Sequence, residues 1–182
     1  MNLRPNYWNR LFLFSLGIFL GTAFCMKWME TDFWAEGERF TIIGLEIFYP
    51  RDRLITLLNS LDNRVRTILS YHLFFDFAFM VGAYPGISSL CMMTRAKTTS
   101  PFLSKLLLTV AFLQMLAWAG DIIENLYLLQ WLKHPVIEES VFAFYHFAVI
   151  LKWIIALAGI FCCLAIFLAD KIQAKKPLKN NF

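Results

Sequence analysis

Four apolar runs, at about residues 11–28, 68–93, 106–132 and 141–168, constrain this chain more than any other feature of it. A helix needs about 20 consecutive apolar residues to cross a bilayer, and each run meets or approaches that length. In hydrocarbon the backbone must satisfy its own hydrogen bonds, so such runs fold as helices. Little chain is left for anything else. The 182 residues are 59% hydrophobic and 16% charged, against about 25% charged in a soluble domain. The expected fold is all-α, with residues 1–182 forming one integral membrane domain, a four-helix transmembrane bundle. The stretch at about 30–66, between the first two runs, is expected to form an extracytoplasmic cap.

Charge sets the orientation. Arg4 and Arg10 precede the first run, and Arg95, Lys97 and Lys105 separate the second from the third. Lys171, Lys175, Lys176 and Lys179 follow the fourth. The connection from Lys27 to Arg66 carries six Lys or Arg against seven acids, and Lys133, Glu138 and Glu139 make the last connection acidic too. By the positive-inside rule both termini and the 95–105 loop are cytoplasmic, and the two acidic connections face outward. That predicts a multi-pass protein of the cell inner membrane. The net charge of +4 is spread around the runs instead of forming a patch, so nucleic acid is not an expected partner. Membrane lipid is, together with a membrane-protein partner docking on the cap. Gly21-Thr-Ala23 would serve as a cleavage site behind the basic start, but the first run is read as an uncleaved helix. Phe24 is too large to precede a lipid-modified Cys25.

Local signals fill in the elements. Residues 40–48 are rich in β-branched and aromatic side chains and predict a short strand or an extended flap. After Tyr49-Pro50, Leu54, Leu57, Leu58, Leu61, Val65 and Ile68 recur at helical spacing, which predicts an amphipathic helix. It lies on the membrane surface or runs straight into the second spanning helix. Trp28, Trp34 and Trp131 are expected in the interfacial aromatic belt. Gly17-x-x-x-Gly21 is expected to let the first helix approach a neighbour closely. Pro85 is expected to kink its helix. Ser100 or Thr99 is the expected N-cap of the third spanning helix, with Pro101 at its first position. Cys25, Cys91, Cys162 and Cys163 contain no C-x-x-C pair and are read as small packing residues.

The acids inside the runs carry the functional signal. Asp76 lies in the second run, and Asp121 lies in the third, within Asp121-Ile-Ile-Glu124-Asn125. An acid at the centre of a spanning helix costs about 2.5–3.5 kcal/mol on the insertion scale, so it marks either a functional site or a paired residue. Helical rise sorts the polar residues by depth, at about 1.5 Å per residue from the outer helix ends. His72, Glu124, Asn125, Tyr145 and His146 fall on an upper level, and Asp76, Asp121 and Lys152 one turn deeper. The predicted site joins His72, Asp76, Asp121, Glu124, Asn125 and His146, with Glu46 lowered from the cap and Lys152 available to neutralise an acid.

Three chemistries fit these residue types. His72, Asp76, Asp121, Glu124 and His146 have the donor atoms for a divalent metal ion that activates water or polarises a lipid ester. Asp76, Asp121 and Glu124 also suit general acid–base work, or the binding of a lipid-like or cationic ligand, with Asn125 orienting it. His72 and His146 would suit the axial positions of a b-type haem. Against these stands a non-enzymatic membrane subunit or assembly factor in which the cluster only locks helix packing; ion or proton translocation is a further alternative. No nucleotide loop, H-E-x-x-H or nucleophile elbow selects among them.

Leu45-Glu46, Asp76-Phe77-Ala78-Phe79 with Tyr84, and Asp121-Ile-Ile-Glu124-Asn125 together resemble a family of uncharacterised bacterial four-helix integral membrane proteins. The resemblance spans most of the chain after the first helix. It implies Glu46, Asp76, Asp121, Glu124 and Asn125 as one site and implies no activity. The His72-x-x-x-Asp76 spacing is also similar, over one helical turn, to the sterol-isomerase (emopamil-binding) bundles, which surround a carbocation with acids and aromatic rings.

Overall fold

The computed structural model describes residues 5–174, with side chains from 7 to 169. Arg4, Lys175, Lys176 and Lys179, and the side chain of Lys171, on which part of the expected orientation rests, lie outside the described residues. In chain order the elements begin with α1 (Pro5–Met29), a 3₁₀ turn (Glu30–Asp32) and the strands β1 (Trp34–Ala35) and β2 (Glu38–Arg39). A π-helical turn (Gly44–Phe48), α2 (Arg51–Ser60), α3 (Asn63–Lys97), α4 (Pro101–Lys133) and α5 (Glu139–Ala174) follow. Four of the helices are long and apolar enough to cross a membrane, the pattern of a multi-pass membrane protein. Their outward faces carry exposed Phe14, Phe24, Phe74, Phe112, Phe147 and Phe161, an apolar surface that water would penalise and lipid would not.

The helices outrun the apolar windows because polar caps extend them. Asp62 Oδ1 accepts a hydrogen bond from the Val65 amide at 2.7 Å and starts α3. Ser100 Oγ accepts from the Leu103 amide at 3.5 Å, and Pro101 opens α4 as expected. α3 continues through Pro85 as one helix.

The cap corrects three expectations. The fold is mostly helical but not strictly all-α, because β1 and β2 form a two-stranded antiparallel hairpin pairing Trp34 with Arg39 and Ala35 with Glu38. Its turn places both Glu36 (φ 52°) and Gly37 (φ 81°) in the left-handed region, the conformation a two-residue hairpin turn requires. The 40–48 stretch is not a strand. It ends in the π-helical turn, closed by the Tyr49 amide donating to the Gly44 carbonyl at 2.8 Å. A Cβ at 44 would sit 2.8 Å from the Tyr49 ring, so a larger residue there would have to displace that side chain. The amphipathic stretch is divided at residues 61–62 into α2 and the start of α3.

Cap and bundle share one core. Phe33 and Phe40 stack at 5.0 Å. Together with Leu45, Leu54 and Leu58 they pack into the same buried cluster as Leu69 and Leu73 of α3, Leu128 of α4 and Val149 of α5. Arg66 fastens the seam, donating to the Leu132 carbonyl and, at 2.7 Å, to the Leu58 carbonyl. Both acceptors lie at helix C-terminal ends, where carbonyls lack intrahelical partners. Trp28 and Trp34 are exposed, as an interfacial belt requires. Trp131 is only 2% exposed; it is enclosed by Tyr127 and Tyr145 rings and belongs to the core and not to the belt.

α1 packs chiefly along α3, and the close approach is made by α3. A Cβ on Gly82 would lie 2.5 Å from the Phe19 amide nitrogen of α1, and one on Gly86 would lie 3.4 Å from the Ser15 Cβ. Gly17 and Gly21 face open space instead, so the expected role of small residues four apart belongs to Gly82-x-x-x-Gly86. At the end opposite the cap, Cys91 of α3 and Cys163 of α5 are free thiols with sulfurs 3.5 Å apart, a proximity across helices that sequence spacing does not reveal.

Candidate functional site

Helical periodicity turns Asp121 and Glu124 of α4, Asp76 of α3 and Lys152 of α5 toward the interior, where all four are buried. Lys152 is the hub. Its ammonium lies 2.5 Å from Asp121 Oδ1, in ion-pair contact with Glu124 Oε2, and 3.5 Å from Glu46 Oε2. Glu46 arrives from the cap on the π-helical turn, a local widening that often marks functional sites. The Trp153 indole N–H also donates to Glu46, at 3.4 Å. Tyr84 of α3 donates its hydroxyl to Asp121 Oδ2 at 2.8 Å. Asn125 donates its amide to Asp76 Oδ2 at 2.6 Å and to the Leu73 carbonyl at 3.4 Å. Cap, α3, α4 and α5 thus meet at one polar centre.

Charge does not balance there. Three carboxyl groups contact one ammonium and a fourth, Asp76, lies in the same site without an ion pair among the described residues, and a buried net charge is expensive unless paired. Burial lifts the Glu46 carboxyl above the ordinary carboxylate range, against the pull of the Lys152 ammonium, while the Asp121 charge lifts it further. The centre reaches neutrality only by holding protons or accepting another cation.

The polar centre forms one wall of a groove of about 320 Å³ between α1, α3 and α5. Glu46, Asp76, Tyr84, Asp121 and Lys152 line it on one side, and apolar residues including Phe19, Met26, Phe79 and Leu157 line the rest. A second apolar hollow of about 190 Å³ continues it away from the cap, sharing Phe19, Ala83, Ile87 and Ile160 and reaching Leu90. From Asp76 to Leu90 the helical rise gives about 21 Å.

The depth levels read from the sequence hold in part. Asp121 and Lys152 meet, as equal depth requires, and Asn125 shares the site with Asp76. His72 does not join them. It is 1% exposed, with its ring 5.3 Å from Phe33 of the cap and both nitrogens without a hydrogen-bond partner among the described residues. His146 stacks on Phe142 at 6.0 Å. Among the described residues no group of three His, Cys, Asp or Glu side chains is arranged to hold a metal ion. The structure therefore does not gather the expected metal set of His72, Asp76, Asp121, Glu124 and His146 at one point. Its two imidazoles pack on aromatic rings elsewhere, and Lys152 supplies the cation on which Asp121 and Glu124 converge. The same placements leave His72 and His146 on different aromatic neighbours instead of presenting them to one haem.

Tyr84 and Trp153 join the site without having been singled out as site residues. Tyr84 lies eight residues beyond Asp76, close to the same helical face, which is the signal that would have found it. Trp153 carries no such signal, because its neighbour Lys152 already points inward. Comparisons with protein-family models, with curated proteins and with solved structures found no match.

Proposed function

We propose that this chain is a multi-pass inner-membrane protein that admits a lipid-like ligand from the bilayer into the α1–α3–α5 groove. The ligand's polar end meets the Lys152-centred cluster, and its chain lies along the hollow toward Leu90. The cap faces outward in this reading and both termini face the cytoplasm. One observation carries it: buried acids, a lysine and a tyrosine form the wall of an otherwise apolar groove long enough for one alkyl chain. Such a combination of apolar lining with few convergent polar groups is the usual form of a small-molecule site. Tyr84, Asp121 and Lys152 make a continuous hydrogen-bonded path, which gives the site the parts for proton transfer at the ligand's polar end. The test is native mass spectrometry of the protein released from lipid nanodiscs, wild type against Ala156→Trp, which fills the groove from α5. Retained lipid in the wild type and its loss in the variant are expected; equal retention would sink the reading.

A second reading has its own support. Lys152 ties α4, α5 and the cap together, as it would in a subunit or assembly factor whose cluster only locks packing. Removing one member of a buried pair typically costs about 3–5 kcal/mol, whereas replacing the whole set with apolar residues is often neutral. If Lys152→Met with Asp121→Leu, Glu124→Leu and Glu46→Leu restores stability and the host cell's phenotype, the lock suffices. Restored stability with lost function favours the ligand site.

A further inference from the structure

We propose that the groove's ligand carries a primary ammonium at its polar end, and that Asp76 receives it. This rests on the groove reading above and names the chemistry of what enters. The balance of donors and acceptors in the site points that way. The N–H donors of the site and the Tyr84 hydroxyl are already committed: Lys152 to Asp121, Glu124 and Glu46, Tyr84 to Asp121, Trp153 to Glu46, and Asn125 to Asp76 and the Leu73 carbonyl. Acceptors are left over. Asp76 is 7% exposed, lines the groove and uses only Oδ2, on a neutral amide. Among the described residues no Lys or Arg pairs with it. Asn125 Oδ1, on the amide that holds Asp76, is also without a hydrogen-bond partner among the described residues.

A ligand that fits must bring N–H donors and positive charge. An ammonium on an alkyl chain does both, and a charge-assisted hydrogen bond is roughly twice as strong as one between neutral groups. A phosphate or sulfate head would instead face the acids Asp76, Asp121 and Glu46, where the described N–H donors lining the groove are already engaged. A trimethylated head would bring charge but no N–H.

The experiment titrates the full chain in phosphatidylcholine nanodiscs with hexadecylamine, its trimethylammonium analogue and hexadecanol, reading occupancy by native mass spectrometry. The amine is expected to bind at least about tenfold more tightly than either competitor. Asp76→Asn is expected to bring the amine to the alcohol's level and leave the alcohol unchanged, which also shows that the variant is folded. Equal binding of amine and alcohol to the wild type would overturn the proposal, and so would an Asp76→Asn variant that keeps its amine preference. Ala156→Trp separates the two levels of inference. If it weakens both ligands while the amine preference is absent, the groove stands and the ammonium falls. If it weakens neither, the groove reading falls with it.

Discussion

At the scale of single residues, the molecule concentrates its cost in a few side chains. Glu46 is buried beside one cation that Asp121 and Glu124 share. Its carboxyl is held above the ordinary range by burial, so the folded protein grips that proton more tightly than the unfolded chain does. With a raised folded value, stability is fullest below the unfolded value and declines as pH rises toward the folded one. Glu46→Gln should therefore gain melting temperature over the wild type as pH is raised above the ordinary glutamate range, and lose that gain in acid. Thermal unfolding in detergent from acid to neutral pH checks this; a gain that is constant with pH would assign Glu46 a different role. The acids could be picked out from the sequence because hydrocarbon makes any carboxylate conspicuous. Histidine is less conspicuous, since a neutral imidazole can be buried against an aromatic ring. That is why His72 and His146 fell into the expected site and not into the observed one.

At the scale of elements, α1 is the piece whose placement decides whether a groove exists. It packs chiefly on α3, and Gly82 brings the two backbones close enough to leave the α1–α5 side open. Cysteines introduced as Ser15→Cys and Gly86→Cys should cross-link on mild oxidation in a chain lacking its native thiols. A Cβ at position 86 would lie 3.4 Å from that of Ser15, close to the separation a disulfide spans. Adding Gly82→Leu should reduce that cross-link several-fold by driving α1 away, and unchanged yield would refute the crossing. Gly82-x-x-x-Gly86 has the same spacing as Gly17-x-x-x-Gly21, the pair expected to make the close approach. Small-residue spacing reports that a helix can be approached, not which neighbour approaches it. Likewise the hydrophobic spacing beyond Pro50 carried a helix but not its division at residues 61–62, where Asp62 caps a new start.

At the scale of the whole molecule, topology is the remaining prediction. Single cysteines at Thr56 in the cap and at Thr99 in the α3–α4 turn, in a chain lacking native thiols, should react with an impermeant maleimide from opposite faces of intact cells. Labelling of Thr56→Cys from outside and of Thr99→Cys only after lysis is expected, and the reverse pattern would invert the proposed orientation. By itself the sequence determined the four long apolar helices, their approximate ends and the presence of acids among them. Those follow from one-dimensional quantities, the length of an apolar run and the cost of a charge in hydrocarbon. Only the tertiary structure decided that Lys152 is the hub, that Glu46 descends to it from the cap, that Asp76 forms no ion pair among the described residues and that the histidines stand apart. Those depend on helix rotation and crossing, which are set by packing at positions such as Gly82 and by the shared cap core, and no local pattern encodes either.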